Sequence, residues 1–394
     1  MNTAVNNSLT DYLKVLRPDI SSQLISSDNW SNINTVARIL PSAITSFFGF
    51  ECRLGIKEAR ADFLICADAT EAGRQILASD NKYSITLPDL LGSHSIWNSI
   101  QNFSTVWNTE TSPLYHRINN VWLEFDIDDS LTTIPIPSCF FGPQPIYSTF
   151  SSSENAPKDR ETNSHQWITQ NALKVLLDRD ISPQVERQLF KCIDLLPSEA
   201  YVFQIGVMLS RKSDLIRVCI RNISPKQILE YLTKINWQGS LKPLKELLDK
   251  ISSFAERIDL DIDVGESVRP KIGLECYFNR QPKFEPRWQL LLDYLVENNL
   301  CIPEKRDSLL AYPGYIRQKD RQDLWPSNLL KLSQLLGAKY ERIFFTGLHH
   351  IKLTYQQSKT LEAKAYLYAN LSLLNPQFFS QWKQLTNSNN LVHS

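Results

Sequence analysis

Apolar and polar positions alternate most plainly between Arg257 and Phe278, RIDLDIDVGESVRPKIGLECYF. Ile258, Leu260, Ile262 and Val264 point one way, and Asp259, Asp261 and Asp263 the other. After a polar turn, Ile272, Leu274, Cys276 and Phe278 oppose Lys271, Gly273, Glu275 and Tyr277. Period two marks a strand with one apolar face, and the short turn makes the pair an antiparallel hairpin. The same pattern recurs at 50–66, 121–141, 200–222 and 344–369, which predicts five hairpins. In the second of these, prolines within IPIPSCFF predict irregular pairing.

The intervals between hairpins carry helical spacing. Helices are predicted at 34–47, 70–78, 88–107, 165–179, 183–195, 225–236, 241–254, 287–298, 303–311 and 327–336. Ser224 followed by Pro225 reads as an N-cap with proline at the first helical position. Ten antiparallel strands with helices between hairpins bury their apolar faces without an open edge only by closing into a barrel with helices outside. The predicted fold is therefore α/β, a closed ten-strand barrel of five αββα repeats. Residues 1–33 form an N-terminal helical extension, 34–370 the barrel and 371–394 a helical tail. The polar stretch 148–164 reads as a mobile surface loop within the barrel.

Composition narrows the class. The chain has 394 residues and formal net charge zero, so no global field draws it to nucleic acid or an anionic membrane. Seven scattered cysteines without a CxxC pair read as reduced thiols. With no basic leader and no long apolar run, the expectation is a soluble, cytoplasmic protein. No GxGxxG, Walker, GxSxG or HExxH motif occurs, which removes the commonest nucleotide-binding and hydrolase classes.

If the strongly apolar side of each strand faces outward, the lumen is charged. Glu51, Arg53, Gly55 and Lys57 point inward from the first strand, and Trp122, Glu124 and Asp126 from the third. Gln204, Gly206 and Met208 follow from the fifth, and Arg217, Cys219 and Arg221 from the sixth. The three aspartates come next, then Lys271, Gly273, Glu275 and Tyr277, then His350 and Lys352, and finally Glu362, Lys364 and Tyr366. Period two sends the rings of His349 and His350 to opposite faces, which argues against a two-histidine metal clamp. Buried cations need anions, and phosphate or diphosphate is the simplest partner for those the carboxylates leave over.

A ten-strand barrel of this kind, lined by Arg, Lys and Tyr, resembles the ABBA-type aromatic prenyltransferases. The strands carrying Lys364-Ala-Tyr366 and Lys271, Glu275, Tyr277 are similar to that family's basic-plus-tyrosine strands. The resemblance covers about residues 34–370. It implies transfer of a prenyl group from an allylic diphosphate, dimethylallyl or geranyl, to an aromatic acceptor such as Trp or Tyr in a peptide or a small indole. It places Arg53, Arg217, Arg221, Lys271, Lys352 and Lys364 on the diphosphate, and Tyr277 and Tyr366 over the allyl cation. Glu51 becomes the base, with Glu124 and Asp126 as competitors, while Trp122, Gln204, Met208, Glu275 and His350 line the substrate pocket. No cofactor is required. The aspartate row departs from the metal-free pattern: Asp259, Asp261 and Asp263 either offer oxygens to Mg²⁺, which some members use, or pair with cations. Two alternatives stand beside this reading. One is a non-catalytic barrel or sheet protein that binds a peptide or small anion. The other is a guanidino-group hydrolase using Cys219 and His350.

Overall fold

The computed structural model describes residues 7–80, 85–128, 134–148, 165–211, 213–335, 340–357, 359 and 361–374. Among these residues twelve strands form one sheet: β1 (Phe47–Arg53), β2 (Ala61–Asp68), β3 (Ile118–Phe125), β4 (Ser138–Pro143), β5 (Ile146–Tyr147), β6 (Tyr201–Val207), β7 (Ile216–Arg221), β8 (Arg257–Val264), β9 (Val268–Tyr277), β10 (Gly314–Arg317), β11 (Glu341–Tyr355) and β12 (Glu362–Leu374). Ten of them follow one another round a ring, each antiparallel to the next, from β11 through β12 and β1 to β9. Pairing of β9 with β11, Cys276 opposite Ile351 and Leu274 opposite Leu353, closes the ring. Short β5 and β10 are side additions to β6 and β11. The protein is a closed ten-strand antiparallel barrel with helices.

The alternation fixes which face looks out. Ile258, Leu260, Ile262 and Val264 are at most 4% exposed, in one apolar layer with Leu244, Leu248 and Ile251 of the helix Leu241–Ile251. Ser224 and Gln227 form a reciprocal capping box at the start of the helix Pro225–Lys234, with Pro225 in its first turn. The opposite face of every barrel strand turns into the lumen.

Several expectations shift. The helix predicted over 34–47 lies earlier, at Ser27–Arg38, because Phe47 already belongs to β1. Pro135 and Pro137 run ahead of β4 rather than within it, and the Pro135 carbonyl accepts from Trp97 Nε1 at 2.9 Å. Residues 371–374, expected in the tail, continue β12 against β11. Residues 149–164 of the expected loop and 375–394 of the expected tail lie outside the described residues. No helix among the described residues is long and apolar enough to cross a membrane.

Candidate functional site

The lumen divides into two communicating chambers. The upper one, of about 250 Å³, is walled by the aromatic rings of Phe47, Trp122, Phe140, Phe203, Tyr366 and Tyr368, together with Tyr277, His349 and His350. The lower one has about 30 Å³, room for about one water molecule. Arg211, Arg217, Lys271, Lys352 and Lys364 meet Glu51, Glu124, Asp261 and Asp263 there. Glu124, Arg217, Lys352 and Tyr366 line both chambers, so they mark the junction.

Glycines make the walls close. A Cβ on Gly206 would lie 2.1 Å from the Phe140 ring, and one on Gly273 would lie 2.7 Å from Lys352 Cε and 2.9 Å from Asp261 Oδ2. The aromatic wall is continuous: Phe47 stacks on Tyr368 at 5.5 Å and meets Trp122 edge-on at 5.6 Å. Tyr366 stacks on His350 at 4.1 Å. A bulge in β11 at Leu348/His350 turns His349 and His350 to the same side, with their Nδ1 atoms 2.7 Å apart. The expectation of opposite faces fails because it assumed an unbroken period of two.

Most lumen cations already have carboxylates. Arg217 grips Asp263 through Nε and Nη2, at 2.8 and 3.1 Å. Arg221 and Arg257 both donate from Nε to Asp259, at 2.9 and 3.0 Å. Lys352 pairs with Asp261 and reaches Glu275 at 3.2 Å. Burial works against its charge, yet these two carboxylates hold its pKa above the ordinary lysine range. Lys364 and the Tyr366 hydroxyl both donate to Glu51. Burial alone would raise the Glu51 pKa, but Lys364 overcomes it and holds the group well below the usual carboxylate range. Glu51 is therefore a poor base.

Asp126 is held at the lower rim by Arg211 and Ser210, each at 2.9 Å, away from both chambers. Of the charged residues lining the chambers, Glu124 and Lys271 alone have no ion pair or hydrogen bond among the described residues. Burial and the nearby Glu51 push Glu124 up to about 8. Burial and Arg217 lower Lys271 below the ordinary lysine range.

Two further buried atoms have no hydrogen-bond partner among the described residues: Asp261 Oδ1 and His350 Nε2, the latter 3.6 Å from Glu275 Oε1. Burial, His349 and Lys352 all keep His350 neutral. The Cys219 thiol faces the upper chamber, but burial and Asp261 hold it far from ionisation, which weakens the cysteine-hydrolase alternative.

Arg217, Arg221, Lys271, Lys352, Lys364, Trp122, Glu124, Gln204, Glu275, Tyr277, His350 and Tyr366 thus converge on the lumen as expected. Arg53 does not. It stands at the rim, 45% exposed and 3.8 Å from Asp62. Gly55 and Lys57 lie in the β1–β2 turn rather than on a strand. Met208 is buried just past the end of β6, lining neither chamber. Tyr277 offers no open ring face: Arg257 lies 4.0 Å from its centroid and His350 4.8 Å. The aspartate row, one of whose readings was a Mg²⁺ site, instead pairs residue by residue with Arg and Lys. No group of three His, Cys, Asp or Glu able to hold a metal occurs among the described residues.

The sequence reading missed Phe47, Phe140, Phe203, Arg211, Arg257 and Tyr368. For Phe47 and Tyr368 the signal existed, since continuing period two outward from Glu51 and Tyr366 reaches both. No protein-family model matches the chain, and no curated protein matches it in sequence.

Proposed function

We propose that this protein transfers a prenyl group from an allylic diphosphate to an aromatic acceptor within the lumen, and that its barrel is built of five αββα units. The observation that carries the reading is the junction, where Arg217 and Lys352 meet Tyr366 beside an aromatic-walled chamber. Heterolysis of the allylic C–O bond sends the electron pair to diphosphate, and fixed cations offset that growing charge. The allyl cation left behind needs aromatic faces and no water. Tyr366, Tyr368, Phe47 and Trp122 supply the faces. The acceptor ring attacks, the new bond forms, and the ring loses a proton. His350 Nε2 lies in the same chamber without a hydrogen bond, 3.6 Å from Glu275 Oε1, whereas both Glu51 oxygens are taken by Lys364 and Tyr366 in the lower chamber. Position therefore favours His350 as the acceptor of that proton; burial leaves it a weak base, which suffices for a proton lost from a cationic ring. A chamber of about 250 Å³ favours the five-carbon donor.

The near-complete pairing of the lumen cations favours the second reading, a non-catalytic barrel that binds a small anion or peptide. Product formation separates the two. Incubation with dimethylallyl or geranyl diphosphate and Trp- or Tyr-containing acceptors is expected to add one prenyl unit by mass, more readily from the dimethylallyl donor. His350→Ala should lower turnover by about 10²-fold or more. Folded protein that adds no mass with any donor and acceptor contradicts the enzyme reading.

A further inference from the structure

Glu124 and Lys271 have opposite charges, line the same chamber, and are not paired with each other. Five cations share that chamber with Glu124: Arg211 beyond β6, Arg217 on β7, Lys271 on β9, Lys352 on β11 and Lys364 on β12. The acidic groups facing it are Glu51 on β1 and Asp261 and Asp263 on β8, with the Tyr366 phenol on β12. Each of those carboxylates has a cation, and four of the five cations have a carboxylate. Among the described residues, an entering anion therefore finds one uncommitted ammonium, Lys271, and one uncommitted carboxyl group, Glu124.

We infer that Lys271 and Glu124 together form a proton-gated anion site, in which Lys271 supplies the charge and Glu124 admits the anion as the neutral acid and repels it once ionised. The inference rests on the lumen being where the diphosphate binds, and it changes the expected part of Glu124 from base to hydrogen-bond donor. A protonated carboxyl offers an O–H to a phosphate oxygen, whereas a carboxylate only accepts. The elevated Glu124 pKa, about 8, fits a group that is neutral at neutral pH. The lower chamber alone holds about one water, so the anion's seat is the junction with the upper chamber. Glu124 lines that junction, and Lys271 lines the lower chamber only, so the proposal requires its flexible stem to extend toward the junction when the anion binds.

The test is calorimetric binding of two probes, inorganic diphosphate and sulfate, from about pH 6.5 to about pH 9.5 at constant ionic strength. Sulfate keeps its charge across this range, so any slope belongs to the protein. Affinity should be level below about pH 8 and then fall about tenfold per pH unit, the limit for one linked proton. Glu124→Gln, which keeps the shape and a donor, should bind at every pH without that fall. Lys271→Met should weaken binding about tenfold or more throughout. Tight binding that is level with pH in the wild-type protein overturns this inference and leaves the proposed function standing. The same fall, beginning near pH 8, in Glu124→Gln also overturns it. Failure of the folded protein to bind either anion removes both the inference and the reading it rests on.

Discussion

Lys352 carries the heaviest electrostatic duty of any single side chain in the lumen. Its ammonium stands between Asp261 and Glu275, and all three residues are buried. Taking such charges out of water is costly, and only close mutual pairing offsets the cost. Removing the cation leaves two carboxylates facing each other, which burial and mutual repulsion then force toward protonation. Lys352→Met should lower unfolding free energy by about 3–5 kcal/mol in denaturant titration at neutral pH. The loss should shrink in acid, where Asp261 and Glu275 protonate without their partner. Lys364→Met should cost less, because the Tyr366 hydroxyl still donates to Glu51. Equal losses for the two variants would show that the Lys352 cluster is not special.

At the scale of the strand, the lumen depends on places where an inward side chain is missing. Gly206 on β6 lies under the ring of Phe140 on β4, directly across the Phe140–Gly206 register pair. Gly206→Ala must displace that ring, so a loss of about 1–3 kcal/mol is expected, together with a smaller upper chamber. Unchanged stability in thermal or denaturant unfolding would mean that the wall has slack that the contact distances do not suggest.

Regular alternation made most of the barrel readable from sequence. Arg217, Lys271 and Lys364 were found because each follows an apolar neighbour on a strand with two chemically distinct faces. The reading failed where both faces are apolar. Ser46 to Phe50 shows no alternation, because the rings of Phe48 and Phe50 pack with Phe63 in the apolar core while the ring of Phe47 packs on Tyr368 and Trp122 in the chamber wall. It failed again at bulges. One extra residue in β11 moved His349 into the lumen, and another at Val202/Gln204 in β6 brought Phe203 in beside Gln204. A bulge is set by the partner strand, which a local window does not contain.

For the whole molecule, the decisive contacts join residues far apart in the chain. Closure of β9 on β11 and the pairing of Lys364 with Glu51 follow from ring geometry, not from any local pattern. The same holds for charge. The row of aspartates and the scattered basic residues were visible in the sequence, but which cation each carboxylate takes was not. Among the described residues, that assignment left Glu124 and Lys271 over and reduced the apparent cationic surplus to one lysine. A lumen whose described cations are mostly paired is selective by subtraction, since a ligand must engage the remainder to find unspent charge.

The most direct measurement is a crystal structure with the unreactive thiolo analogue of dimethylallyl diphosphate. The account predicts the diphosphate at the junction, within reach of Lys271 and Glu124, with the prenyl chain directed toward Tyr366 and Tyr368. A saturated crystal with the lumen empty, or with the analogue bound only on the outer surface, would contradict it.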